Sequence, residues 1–353
     1  MNFRAHYRQR VLASACITGA IGAGMVMGAH PVSAATAQRA GNATPTYTLR
    51  KISNLSGYGL TLNGNAYGYN LRTTVAEVVT PAGKVTTLTT PRGNQSTATS
   101  GYGRYYAGQN FTTGTAVRWT LTGTSVKAQT LASVDHNGSL AEGVDAAGAV
   151  VGQSDGLAVL WKAGSTAVTR LPLAAGYTGG EATSISANGA IIAGGVVTSA
   201  FRWRAATWLR GSSGGYVIHL LTGTGTEVEA VNGAGIEVGG QLFGSGQAYE
   251  WLPKSNHTFQ AVDLGGPAGA GCIATAMNNA SAPSIIGDCN SGKTIYAWIY
   301  RGHQTLTDLQ PVIAKVDRGV TATRALGTDG AGQLLIEAQG TVFADYVLTP
   351  TST

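Results

Sequence analysis

The feature that most constrains this chain is a repeat with a period of about 40–50 residues. Segments ending in an aromatic align as Ala116-Val117-Arg118-Trp119, Ala158-Val159-Leu160-Trp161, Ala205-Ala206-Thr207-Trp208 and Ala248-Tyr249-Glu250-Trp251. Two weaker copies follow, Ala297-Trp298-Ile299-Tyr300 and Ala344-Asp345-Tyr346-Val347, and a degenerate one precedes them, Ala76-Glu77-Val78-Val79. The leading alanines lie 40, 42, 47, 43, 49 and 47 residues apart, which makes seven units. A period of this size marks supersecondary units that cannot bury their apolar surface alone and must pack on their neighbours.

Each unit has an internal grammar. A polar turn with Gly comes first, as in Asp145-Ala146-Ala147-Gly148 or Asn232-Gly233-Ala234-Gly235. An apolar strand closing on Gly follows, such as Val150-Val151-Gly152 or Ile285-Ile286-Gly287, then the Ala-x-x-Trp strand. A fourth strand ends in Leu: Val168-Thr169-Arg170-Leu171, Val217-Ile218-His219-Leu220, Ala261-Val262-Asp263-Leu264. Four short strands per unit predict the blade of a β-propeller, with Asx side chains capping the turns and Gly taking the positive-φ position. The composition agrees, with 11% charged residues, 51 Gly and no apolar 3.6-residue period sustained over three turns. The expected fold is all-β, a seven-bladed propeller of four-stranded blades. The last unit stops after its third strand at 342–347, and the lone strand at 47–52 is expected to complete it and close the ring, so that no edge is left unpaired.

This grammar resembles the bacterial extracellular repeat called the HAF repeat. Residues 232–239, Ala248 to Trp251 and Asp263-Leu264-Gly265-Gly266 carry the likeness best, within units three to six, whereas units one, two and seven are degenerate. The resemblance implies an exported bacterial protein. It implies no activity, because the family is defined by its repeat and has no catalytic motif to carry over.

The N-terminus also points to export. Arg4, Arg8 and Arg10 precede an apolar stretch at 11–29, and Pro31-Val32-Ser33-Ala34 supplies the small residues that a signal peptidase needs. The apolar stretch is diluted by Gly19, Gly22, Gly24 and Gly28, with no basic stop behind it, so stable membrane insertion is not expected after cleavage. The expected organisation is a signal peptide at 1–34, a flexible linker at 35–46, the propeller at 47–350 and a short tail. The whole chain has 23 basic and 17 acidic residues; losing three Arg leaves 20 − 17 = +3 on 353 − 34 = 319 residues. That small, scattered excess excludes an electrostatic nucleic-acid binder. Cys16 leaves with the leader. Cys272 and Cys289 flank the turn Asn278-Asn279-Ala280-Ser281, so antiparallel strands would set them opposite each other and a disulfide is expected.

Chemistry is sparse. His136, His219, His257 and His303 show no metal-ligand spacing, and no nucleophile elbow, phosphate loop or dinucleotide fingerprint appears, so no cofactor or metal is expected. Glu142 and Glu229 stand three residues before the turn Asx of units three and five. There they could face one channel as an acid/base pair or hold a cation, or simply meet a basic neighbour or water. The Trp of each unit reads as core. Trp203 differs, because Phe201-Arg202-Trp203-Arg204 lies in an extra stretch, 196–204, between the second and third strands of unit four. Aromatic and Arg side chains on a loop suit sugar or protein recognition, so Phe201, Arg202 and Trp203, with Asp135 and His136 on a neighbouring connection, are the expected contact residues. The bland reading folds Phe201 and Trp203 onto the core of unit four. Taken together, the sequence favours a non-enzymatic binding or scaffolding module for a glycan or an extracellular protein. The alternative is a propeller hydrolase or lyase acting on polysaccharide or a lactone.

Overall fold

Each repeat folds into short antiparallel strands, because its β-branched runs are brief and the Asx-Gly turns between them send the chain straight back. The computed structural model describes residues 47–351 apart from 94, 136, 224, 242–245, 267–269, 291–294, 302–306, 317 and 340–342. The expected leader and linker, and His136 and His303, lie outside the described residues. Among the described residues, 28 strands form four-stranded antiparallel sheets in a propeller-like arrangement. In the third sheet Ser139–Val144, Val150–Ser154, Leu157–Trp161 and Val168–Arg170 pair in chain order. The second strand of sheet five, Glu237–Gln241, also pairs with the first strand of sheet six at Gly240 and Ile273. A seven-residue helix, Gln310–Val316, interrupts the β pattern in the connection to the last sheet and buries Val312 and Ile313.

The last sheet is assembled from distant parts of the chain. Thr321–Thr328, Leu334–Gln339 and Phe343–Pro350 pair in order, and Tyr47–Ile52 adds to Phe343–Pro350 with Tyr47 opposite Pro350 and Ile52 opposite Asp345.

Each sheet is apolar on both faces, so the cores lie between sheets. Ala149, Val151 and Leu160 of the third sheet share one cluster with Ile192, Val196 and Trp208 of the fourth. Leu55, Ala66 and Val79 of the first sheet share another with Leu335 and Val347 of the last. The first strand of every sheet touches the first strand of the next, and Thr321–Thr328 touches Leu55–Leu60. The repeating Trp does two jobs here. Trp119, Trp161, Trp208 and Trp251 are wholly buried, and each indole N–H donates to a carbonyl of the connection that enters its sheet: Thr89, Ala132, Pro172 and Thr222 at 2.8, 2.8, 2.7 and 3.3 Å. Removing such a ring costs about 3–5 kcal/mol against about 1 kcal/mol for its hydrogen bond, so burial dominates and the bond sets direction.

A second device recurs in the first strands. Each carries a bulge at an equivalent position, occupied by Tyr58, Thr99, Glu142, Thr183, Glu229, Thr275 and Leu326 in turn, and the strand of the last sheet has a second one at Thr323. Where that residue is Thr, its hydroxyl crosses to the next sheet. Thr183 donates to the Val228 carbonyl at 2.6 Å and Thr275 to Ala325 at 2.7 Å, and Thr99 likewise bonds Ala141. Cys272 and Cys289 are register partners on the first two strands of the sixth sheet and form a disulfide, as the turn between them predicts.

Tyr47 and Ile52 are nearly inaccessible and sit in two different clusters. Deleting the chain through Ser53 therefore exposes the edge of Phe343–Pro350 and opens both cores. The truncated protein should lose well over 3 kcal/mol of stability or aggregate, measured as a lowered thermal midpoint beside the mature chain.

Candidate functional site

In sheets one to four the hairpin between second and third strands emerges on the same side as the chain entering the next sheet. Backbone bonds tie the two together. The amides of Ser96, Ser139, Gly180 and Gly225 each donate at 2.9 Å to the carbonyls of Thr74, Gly114, Gly156 and Trp203 respectively. These hairpins therefore stand on a braced rim, which suits presentation of side chains to a ligand.

The hairpin of the fourth sheet differs from its expected form. The stretch 196–204 is not a loop insertion: Val196 and Val197 extend one strand, Trp203 and Arg204 extend the next, and they pair as Val196–Arg204 and Val197–Trp203. Extra ladder bonds satisfy the added backbone, so only 198–202 turns. Trp203 is half-buried, and its ring packs over Gly195 next to Glu227, where a Cβ on Gly195 would lie 3.1 Å from the ring. Arg202 is exposed. Phe201 is 71% exposed and sits at φ 57°.

That φ repays comparison with the turn of the third sheet. There the Asp145 amide donates to Ala149, Gly148 donates to Asp145, and the Asp145 carboxylate takes the Ala149 amide. In 198–202 the Thr198 amide donates to Arg202, Phe201 donates to Thr198, and the Thr198 hydroxyl takes the Arg202 amide. The two turns are alike, but Gly148 fills the left-handed position in one and Phe201 in the other. A bulky aromatic there costs about 1–2 kcal/mol that Gly avoids.

Two further apolar loop tips share this face and were not singled out from the sequence. Leu71 is 50% exposed and Phe111 43%, in the corresponding hairpins of sheets one and two. Each follows an Asn whose carboxamide oxygen takes two later amides: Asn70 from Arg72 and Thr73, Asn110 from Thr112 and Thr113. The shared Asn-apolar-x-Thr run was the legible signal.

Asp135 lies on the connection between sheets two and three. It is exposed, stands 3.8 Å from Arg170, and its amide donates to the Asp155 carboxylate at 2.9 Å. Burial pushes Asp155 up, but bonds from the Asp135 amide, Ser154 and Asn137 outweigh it and hold the carboxyl below its usual range. Glu142 is buried and Glu229 half-buried, each as the bulge residue of its own first strand. His219 lies on the outer strand of sheet four and His257 in the 3-10 turn that precedes the outer strand of sheet five, and their rings lie 5.6 Å apart although the sequence shows no pairing between them. Among the described residues no group of three or more His, Cys, Asp or Glu could hold a metal ion.

The strongly perturbed acids serve the joints between sheets. Burial pushes Asp288 up to about 6, while Arg324 at 3.4 Å and the Ala325 amide at 2.7 Å, both on the last sheet, oppose it. Burial pushes Asp345 up to about 8, against the amide of Gly57 in the first sheet. Glu237 is wholly buried beside the Thr207 hydroxyl of the fourth sheet, and burial pushes it up to about 8.

The fold and this rim define a propeller-like all-β protein with one face of variable hairpins. No family model and no curated protein matches the chain. Among solved structures it is similar to a catalytically inactive virginiamycin B lyase from Staphylococcus aureus with quinupristin, at 12% identity and a TM-score of 0.52 over 86% of this chain and 100% of that one. It is likewise similar to a chain of a mitotic checkpoint complex, at 12% identity and a TM-score of 0.51 over 95% of this chain and 100% of that one. One likeness is to an enzyme and one to a member of an assembly, so they carry the fold alone.

Phe201→Gly relieves the left-handed strain but adds chain entropy to the unfolded state, so stability should rise by roughly 0.5–1 kcal/mol in urea denaturation. Glu237 titrates near 8 when folded against 4.5 for a free side chain. Its stabilising contribution is full below about 4.5 and is lost as pH rises through about 8, so the urea midpoint should fall across that window and fall less in Glu237→Gln.

Proposed function

We propose that this chain is an exported seven-bladed β-propeller, closed by its N-terminal strand, that acts as a non-enzymatic binding scaffold through the rim of second-to-third-strand hairpins. The cyclic contact of first strands and the shared cluster of the first and last sheets support closure. The leader-like N-terminus, the HAF-like grammar and the Cys272–Cys289 bridge support export to an oxidising compartment.

One observation carries the binding role. Phe201 is held exposed in a position where Gly would be more stable, and a residue kept against stability is kept for contact. Arg202 beside it is exposed and adds a charge, and Trp203 packs over Gly195 beneath the hairpin. An exposed Phe with an Arg neighbour fits an extracellular protein better than a neutral glycan, which is gripped by flat stacked rings and hydrogen-bonding carboxylates.

Photo-crosslinking tests this directly. A benzoylphenylalanine at position 201, in protein secreted by its own host, should give a discrete protein adduct. The same probe at Lys84, exposed in a turn at the other end of the strands, should not. Equal labelling from both positions, or no adduct at 201, removes the proposal.

A further inference from the structure

The loop tips of sheets one and two form a patch of their own. Leu71 and Arg72 lie on one hairpin, Phe111 on the next, and Arg92 on the connection between the sheets. The connection is fastened to both. The Asn110 carboxamide donates to the carbonyl of Arg92 and to the Thr90 hydroxyl, the Phe111 amide donates to Gln95 at 2.8 Å, and Ser96 donates to Thr74 at 2.9 Å. Trp119 pins the same segment through Thr89 at 2.8 Å. A Cβ added to Gly93 would lie 2.4 Å from Thr112, so connection and hairpin are in close contact. The four side chains are thus presented by one preorganised support.

Their chemistry is one-sided. Arg72 and Arg92 are exposed, Leu71 and Phe111 are about half exposed, and no Asp or Glu occurs in 71–75, 88–95 or 111–114. The nearest carboxylate in sequence, Glu77, is buried and takes the Asn70 carboxamide at 3.1 Å, so it does not neutralise the patch. We propose that Leu71, Arg72, Arg92 and Phe111 form a docking surface for an extended acidic segment of a partner protein, with Asp or Glu on the two guanidiniums and apolar side chains on Leu71 and Phe111. This rests on reading the hairpin rim as the ligand face. Two positive charges without local counter-charge ask for an anionic partner, and guanidiniums suit carboxylates because the planar fork takes both oxygens. The apolar tips ask for apolar side chains in the same partner. Half of each tip already packs on protein, which favours lateral contact with a polypeptide over insertion into a bilayer.

The probe is a random peptide library panned on the purified mature protein, with enriched sequences resynthesised and measured by fluorescence polarisation. Enriched peptides should combine Asp or Glu with Leu, Phe or Trp and should weaken as salt rises. Arg72→Glu with Arg92→Glu, and separately Phe111→Ser, should each weaken binding by at least about tenfold with an unchanged thermal midpoint. Lys84→Ala, in an exposed turn at the other end of the strands, should leave it unchanged. Enriched peptides without acidic residues, or binding indifferent to the patch variants, overturn the proposal. Binding of phosphatidylglycerol vesicles, lost in the same variants while no peptide is retained, replaces the polypeptide with a lipid surface. If the patch fails while position 201 still crosslinks, the rim remains the ligand face and only this docking site is lost. If both fail, the reading of the rim fails with them.

Discussion

The structure depends on burying two apolar faces per sheet, which no single four-stranded sheet can do for itself. In units two to five, Trp119, Trp161, Trp208 and Trp251 meet that constraint. Each fills the space between its own sheet and a neighbour, and its indole N–H fixes the chain that arrives from the previous sheet. Direction matters as much as burial. A Leu in that slot would fill volume but would leave the incoming connection unfastened, and the rim hairpins stand on those connections.

Polar groups then do what apolar ones cannot, namely fix register between sheets. The bulge Thr of sheets two, four and six reaches the carbonyl of the next first strand. Arg118, buried in the second sheet, reaches the carbonyls of Gly148, Lys162 and Ser165 in the third. Burial lowers its proton affinity, and the hydrogen bonds to those carbonyls offset the desolvation of the cation. Asp288 and Asp345 do the same work with backbone amides of the sheet that follows. Clusters of perturbed acids often mark active sites, but here each acid is engaged by the adjoining sheet, and that use accounts for its position.

Much of this was legible in the sequence because the grammar repeats. The strand order within a unit, the pairing of Cys272 with Cys289 and the placing of Tyr47–Ile52 against the last strand all follow from counting residues between turns. Features that depend on one unit alone were harder to read. The stretch 196–204 looked like a loop because it had no counterpart in other units, whereas the extra residues lengthen a ladder. The approach of His219 to His257 joins the outer strand of one unit to a turn of the next, where the repeat imposes little, so no spacing could reveal it. Leu71 and Phe111 were overlooked for the opposite reason: as single apolar residues after an Asn they read as ordinary strand ends, and only the topology puts them on one rim.

The same turn geometry thus serves two purposes in one molecule. At 145–149 it joins the first and second strands of a sheet with Gly in the left-handed position, and the Asp145 carboxylate takes the amides that would otherwise be unpaired. At 198–202 it carries Phe201 there instead, on the side where the hairpins vary. Strain of about 1–2 kcal/mol is tolerable in a protein whose sheets are stitched on both sides, and it would be selected against wherever it bought nothing. A rigid, repetitive scaffold is what permits such a local departure, because the cost stays within one hairpin while the cores between sheets are unaffected. Binding surfaces on this fold can therefore change residue by residue along the rim without disturbing the Trp-anchored connections beneath them.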